Sequence, residues 1–237
     1  MPRIPLIEEL TAGPIPPGFN ILVEFDASSI WFEASLAITR GWLMDEGEIG
    51  YTLATQPPDS LRSQLKGLSL DVQKLEGNGK LEIWDWYTAT LGQKSKEKLE
   101  QPSLKVADLS IEMSQGLKEH TSAGTIPEYL RILDNCSVLD RFNDSEKSWV
   151  ELLLTRIIPR ASYLRSTLII GIMRGIHSDW VYRLLEGAVE GVVDFKLDES
   201  GEETRNIIRF RRMRNVGFDS RWHKLKVGKN FEVTLEK

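Results

Sequence analysis

The chain has 237 residues, of which 41% are hydrophobic and 27% are charged, and its formal net charge is -5. This composition is typical of a folded globular protein, excludes a disordered chain and does not indicate a general nucleic-acid binder. No apolar run approaches the roughly 18 residues that cross a bilayer, and the N-terminal residues lack a signal-peptide pattern. The single cysteine, Cys136, excludes an internal disulfide framework, so we expect a cytoplasmic protein.

Short apolar runs and stretches of helical periodicity alternate along most of the chain. After the proline-rich residues 13–18, apolar runs bounded by turn residues predict five strands. These predicted strands are residues 20–23, 48–55, 80–86, 129–134 and 166–173. Helical periodicity predicts helices at residues 30–43, 57–66, 104–119, 146–163 and 180–190. The polar residues 88–101, rich in lysine and glutamate, predict an exposed loop.

The last quarter of the chain has a different pattern. Its predicted strands, joined by glycine and aspartate turns, are residues 191–197, 203–214, 222–227 and 231–235. Strands that alternate with helices predict an α/β fold with a mostly parallel sheet covered on both faces, to which this tail adds an antiparallel meander. We therefore predict one domain over residues 1–237, with an α/β core at 1–190 and a β extension at 191–237.

Several short motifs occur along the chain in an order that is found in one protein family. They are IPPGFNILV (15–23), EGNGKLEI (76–83), LRILDN (130–135), GIHSD (175–179), EGVVDF (190–195), RMR (212–214) and RWH (221–223). In this order they resemble the KaiC-like branch of the RecA superfamily of P-loop ATPases. The resemblance implies a RecA-like fold in which a phosphate-binding loop follows the first strand.

The phosphate-binding loop that the resemblance implies has lost its motif. A P-loop reads G-x-x-x-x-G-K-[ST]: the glycines expose backbone N–H groups, the lysine binds phosphate and the hydroxyl binds magnesium. Residues 25–32 read FDASSIWF instead. This degenerate loop includes Phe25, Ser28, Ser29, Ile30, Trp31 and Phe32. Phe25 and Ile30 replace both glycines, Trp31 replaces the lysine, and three acids with no base lie in residues 24–33.

Two further positions support the loss of ATPase activity. Asp134 stands where the resemblance implies the magnesium-binding Walker B aspartate, but we favour a residue that ends a strand and caps a turn. Residues 53–57, LATQP, contain no carboxylate where the resemblance implies a catalytic glutamate. We therefore expect no catalysis, no nucleotide, no cofactor and no metal. We also predict that Trp31 and Phe32 are buried in space that phosphates fill in active relatives, since burial stabilises each ring by about 2 kcal/mol or more.

Other candidate motifs have simpler interpretations. GNGK (77–80) precedes a strand instead of following one, so it predicts a turn. In HSD (177–179), Ser178 or Asp179 is predicted to cap a helix. The three histidines (His120, His177 and His223) are far apart and have no helical ligand spacing, so they do not predict a zinc site. Cys136 is predicted to be a core residue.

A basic stretch stands out near the C-terminus, where residues 205–229 contain one acid, Asp219, and nine basic residues. These are Arg205, Arg209, Arg211, Arg212, Arg214, Arg221, Lys224, Lys226 and Lys229. In a strand, Arg212 and Arg214 point to the same face. The resemblance implies that a basic pair at this position reaches across a subunit interface to the neighbour's ATP, and the alternative is a solvated strand face.

These observations favour a non-catalytic regulatory or interaction subunit. We expect it to form an oligomer with itself or with an active KaiC-like ATPase, with Arg212 and Arg214 at the interface. One alternative is an accessory protein of the recombinase-paralogue kind that binds nucleic acid through the basic stretch. Another is a weak ATP binder whose P-loop has degenerated.

Overall fold

The centre of the fold is one sheet whose middle strands are buried on both faces. The computed structural model describes residues 2–100, 103–111, 129–201, 203–228 and 232–236. In these residues the strands are β1 (Asn20–Phe25), β2 (Glu48–Leu53), β3 (Leu81–Asp85), β4 (Leu99–Glu100), β5 (Tyr129–Leu133), β6 (Thr167–Met173), β7 (Gly191–Asp198), β8 (Arg205–Met213), β9 (His223–Val227) and β10 (Val233–Leu235). They follow the order β10-β9-β8-β7-β1-β6-β5-β2-β3-β4.

Pairing within the sheet confirms the predicted α/β architecture. β7, β1, β6, β5, β2, β3 and β4 pair in parallel, and β8, β9 and β10 add the antiparallel meander to β7. The helices are α1 (Trp31–Met44), α2 (Pro58–Gly67), α3 (Val72–Gly77), α4 (Tyr87–Thr90), α5 (Glu146–Leu152), α6 (Ile158–Tyr163) and α7 (Asp179–Ala188). No helix in these residues is long and apolar enough to span a bilayer.

Side chains of β1 alternate between two cores because successive residues of a strand point to opposite faces. Ile21, Val23 and Phe25 join the core on the α1 face, and Leu22 joins the core on the α7 face. Every residue of β1 is buried, as expected for a central parallel strand covered on both faces. The carboxyl ends of β1, β5 and β6 meet at one edge of the sheet, and this edge carries the candidate site.

Two predicted elements differ from the structure, and a third is described only in part. The predicted loop at residues 88–101 contains part of α4 and the edge strand β4, and it is ordered by Asp85, whose carboxylate accepts bonds from Thr88 and Ser95. The predicted helix at 146–163 is interrupted by a π turn, Leu153–Ile157, just before Pro159, which has no backbone N–H to donate. The predicted helix at 104–119 is helical at 106–111, and the rest lies outside the described residues.

Candidate functional site

The backbone between β1 and α1 forms a closed turn. The Ser29 amide donates a hydrogen bond to the Asp26 carbonyl oxygen at 2.9 Å, and the Ser29 hydroxyl donates to the same oxygen at 2.7 Å. The Asp26 amide donates to the carbonyl oxygen of Phe195 in β7 at 3.1 Å. A phosphate-binding loop needs several backbone amides aimed at one anion, and two amides of this turn are bonded within the protein.

The amino end of α1 is also bonded within the protein. The Ile30 amide, at the N-cap position, donates a hydrogen bond of 3.2 Å to the side-chain oxygen of Asn206 in β8. An asparagine oxygen is a good partner for the unpaired amides at a helix start. No local pattern in the sequence signals the contact with Asn206, because this residue is 176 positions from Ile30.

Trp31 fills the interior of the degenerate loop. Its side chain is fully buried, and its indole nitrogen donates a hydrogen bond of 2.8 Å to the backbone carbonyl of Asp134. The ring centroid lies 6.3 Å from that of Phe25 and 5.3 Å from that of Phe195. The predicted burial of Trp31 is confirmed. Phe32 is half-buried and packs edge-on against Phe25, with centroids 5.5 Å apart.

Gly171 in β6 provides space for this contact. A Cβ atom at this position would lie 2.1 Å from the carbonyl oxygen of Asp134 and 2.7 Å from the indole nitrogen of Trp31. Both distances are shorter than real non-bonded contacts, so only glycine fits here without movement of the backbone. The sequence signal was a glycine inside an apolar strand, which marks a close approach of another group.

Asp134 holds the end of β2. One carboxylate oxygen accepts a bond of 2.9 Å from the Ala54 amide, and the other accepts a bond of 2.8 Å from the Thr55 hydroxyl. The residue is fully buried, and burial raises the pKa of this carboxyl group to about 6. These bonds agree with the interpretation of Asp134 as a strand-end residue. Thr55 comes from the stretch in which the resemblance implied a catalytic glutamate.

The side chains of Arg212 and Arg214 contact the carboxyl end of helix α7 in the same chain. The Arg212 guanidinium donates to the carbonyl oxygens of Glu186 and Val189, the second at 2.8 Å, and Arg214 donates to the Gly187 oxygen at 2.8 Å. Cationic groups at the carboxyl end of a helix are stabilised by the helix dipole and by its unpaired carbonyls. Both side chains lie on the α7 side of the sheet, as the strand periodicity predicted, and Arg214 is the more exposed of the two.

Other arginines of the basic stretch are also neutralised internally. Asp194 of β7 is fully buried, and its carboxylate binds Arg209 at 2.8 Å, Arg211 at 2.7 Å and also Arg174. Arg211 also binds Glu24 at 2.6 Å. Two other residues of the stretch, Arg221 and Asp219, pair with each other at 2.6 Å. These charges are evident in the sequence, but no sequence pattern marks Asp194 as their partner. Lys229 lies outside the described residues.

The remaining sequence-predicted residues have mixed outcomes. Cys136 is fully buried, as predicted, and α3 ends at Gly77 in the predicted turn. α7 begins at Asp179 with Ser178 at the N-cap, but the predicted side-chain cap is wrong, because the Ser178 hydroxyl donates to Glu146 instead. His177 contacts the same carboxylate at 3.2 Å. His120 lies outside the described residues.

Comparisons with known proteins agree with this fold. The family model described as ATPase: KaiC matches residues 43–235, a range that begins after the degenerate loop. A KaiC-like protein from the hyperthermophilic archaeon Pyrococcus horikoshii OT3 is 16% identical, with a TM-score of 0.75 over 100% of this chain and 97% of that chain. The flagellar accessory protein FlaH from Methanocaldococcus jannaschii is 15% identical, with a TM-score of 0.72 over 100% and 99% of the two chains. No curated protein sequence matches. By its family match and its fold, the chain belongs to the KaiC family of the RecA superfamily.

Proposed function

We propose that this protein is a non-catalytic KaiC-like subunit that regulates or assembles with other subunits and does not hydrolyse ATP. The observation that carries the proposal is the position of Trp31 at the start of α1. Its indole is fully buried and bonded to the Asp134 carbonyl, at the position where a P-loop lysine would reach phosphate. A P-loop cannot form around an indole that already packs against Phe25 and Phe195.

The polar groups near Trp31 add to this argument. The Ile30 amide is bonded to Asn206, and both oxygens of the Asp134 carboxylate are bonded to the end of β2. A phosphate or a magnesium ion could bind these groups only after their present hydrogen bonds were broken. Breaking each of these bonds would cost about 1 kcal/mol of binding free energy. The position of the catalytic glutamate is occupied by Thr55 and Gln56, which cannot act as a general base.

Calorimetry with Mg-ATP tests the loss of nucleotide binding. We expect no saturable heat at ATP concentrations up to the millimolar range, because the Asp26, Ser29 and Ile30 amides are bonded within the protein and the loop contains no lysine. An intact KaiC-like ATPase, titrated under the same conditions, serves as the positive control. Saturable binding in the micromolar range, about -8 kcal/mol, would contradict the proposal and favour the weak ATP binder.

The proposed regulatory role rests on the basic pair at the end of β8. In a RecA-type active site, one subunit holds ATP with its P-loop and glutamate, and its neighbour contributes a basic pair. This chain lacks the P-loop motif and the glutamate but has the basic pair. Arg212 is half-buried with two carbonyl partners, whereas Arg214 is exposed with one. We therefore propose Arg214 as the residue of the pair that contacts a partner subunit.

A partner assay tests this role. Affinity purification from native cells should recover an intact KaiC-like ATPase, whose rate is then measured with the wild type, Arg214→Ala and Arg212→Ala. We expect Arg214→Ala to change the rate in the assembled complex without loss of fold, and Arg212→Ala to lower thermal stability. Equal rates for the wild type and Arg214→Ala, with complex formation proven, would exclude a contact through Arg214.

Salt-dependent binding of DNA or RNA would favour the nucleic-acid alternative, although the internal ion pairs of the arginines oppose it.

A further inference from the structure

Three side chains from three separate segments meet beside the amino end of α7. Asp140 lies in the 3-10 segment Cys136–Phe142, Glu146 begins α5, and His177 lies in the turn before α7. Each side chain offers one ligand atom, and these atoms all lie within 4.8 Å of one another. The Nδ1 atom of His177 lies 3.2 Å from Oε1 of Glu146. We call this group the Asp140 cluster.

Hydrogen bonds from neighbouring groups fix the orientation of both carboxylates. The indole of Trp149 donates a bond of 3.1 Å to Oδ1 of Asp140. The Ser178 amide donates a bond of 3.0 Å to Oε1 of Glu146, and the Ser178 hydroxyl donates to Oε2. Outer hydrogen bonds of this kind are typical of carboxylates that ligate metals, because they limit the rotation of the side chain.

The His177 side chain supplies a second, independent observation. It is 1% exposed, its ring centroid lies 5.0 Å from that of Trp149, and its Nε2 atom has no hydrogen-bond partner among the described residues. When Nδ1 carries the proton and donates to Glu146, Nε2 is a buried acceptor without a donor. A metal ion bound to Nδ1 favours the tautomer in which Nε2 carries the ring proton. An N–H group at Nε2 can point at the π face of a neighbouring aromatic ring, whereas an unprotonated Nε2 would leave a lone pair without a donor.

We propose that the Asp140 cluster binds a divalent transition-metal ion of the Zn²⁺ class. One imidazole and two carboxylates form an N/O donor set suited to such ions. Bonds of about 2.0–2.1 Å in a tetrahedral site place ligand atoms about 3.3 Å apart, close to the separation of His177 and Glu146. The Asp140 carboxylate is exposed and its ligand atom lies within 4.8 Å of the other two, so ion binding draws the three groups together and water completes the coordination.

Metal titration of the chelator-treated full chain tests the proposal, with ZnCl₂ and CoCl₂ as probes and MgCl₂ as the comparison. We expect saturable Zn²⁺ binding and, at 100 times the Kd, a rise in Tm of about 5–10 °C. Asp140→Asn keeps an oxygen acceptor for Trp149 but removes the anionic ligand, so it should weaken Zn²⁺ binding at least tenfold. The matched control is Asp144→Asn, an exposed aspartate outside the cluster, which should bind like the wild type.

Histidine NMR of the wild type gives a readout that needs no variant. The chain has three histidines, and we expect Co²⁺ to broaden the signals of His177 at concentrations that leave His120 and His223 unchanged. Broadening of His120 or His223 in place of His177 would overturn the proposal. Equal Zn²⁺ affinity of Asp140→Asn and the wild type, or no saturable Zn²⁺ binding up to the millimolar range, would also overturn it.

Discussion

Trp31→Ala should lower the free energy of unfolding by about 3–5 kcal/mol, the cost of removing a large buried aromatic side chain from a packed core. The indole is fully buried between Phe25 and Phe195, and its removal would also leave the Asp134 carbonyl without its donor. Urea unfolding followed by circular dichroism measures the change. Trp180→Ala is the matched control: that indole is 40% exposed, so its loss should cost less than about 1 kcal/mol.

Trp31→Lys extends the same experiment to nucleotide binding. The lysine places an ammonium group in the space of a buried ring, so we expect a loss of stability at least as large as that of Trp31→Ala. ATP binding should not return, because Ile30 still stands in place of a glycine and its amide is still bonded to Asn206. Recovery of ATP binding by this single substitution would mean that the loop can hold phosphate without its two glycines, and it would contradict the proposed function.

Asp194→Asn should destabilise the protein by about 3 kcal/mol or more, because it removes a buried acid that binds three arginines. Asp194 is fully buried and lies beside Glu24 in the β1–β7 register and beside Arg209 in the β7–β8 register. The two neighbouring carboxylates are held together by Arg174 and Arg211, which bind both of them. The neutral amide would leave an excess of positive charge among the half-buried arginines of this network.

The control for Asp194→Asn lies on the same strand. Asp198 is at the end of β7, where hydrogen bonds to Ser200 and nearby basic groups hold the pKa of its carboxyl below its usual value. Asp198→Asn should leave the thermal midpoint nearly unchanged, because the group stays in water. A comparable loss of stability in both variants would contradict this prediction. It would mean that removing any negative charge from β7 lowers stability and that the ion pairs of Asp194 add nothing further.

The sequence predicted the central elements because their signals are local. β1 and β6 are apolar at nearly every position, which is the pattern of a parallel strand covered on both faces, and α1 follows β1 with the expected periodicity. The burial of Trp31 followed from the free-energy cost of exposing a large aromatic ring and from the position that the resemblance gives it. The two-residue side-chain period of a strand correctly predicted that Arg212 and Arg214 point to one face of the sheet.

The contacts that decide the site depend on partners distant in the sequence. Asn206 meets Ile30 and Arg211 meets Glu24 only because β8 lies two strands from β1, and this register has no signature in either segment. Arg212 and Arg214 bond to carbonyl groups at the end of α7. The last residue of a helix cannot be read from periodicity to better than about one turn, so these partners could not be predicted. The two-residue strand β4 is too short to have a pattern of its own.

The enclosure of Trp31 has an evolutionary consequence. Its indole is accommodated by Gly171 of β6, bonded to the backbone that follows β5, and packed against Phe195 of β7. For this chain to bind ATP through a P-loop, three changes would be needed: replacement of the indole, introduction of two glycines and release of the amide that Asn206 holds. The first of these steps alone would cost several kcal/mol, a large part of the 5–15 kcal/mol that keeps a domain folded. Selection for a stable fold alone therefore opposes the first of these changes.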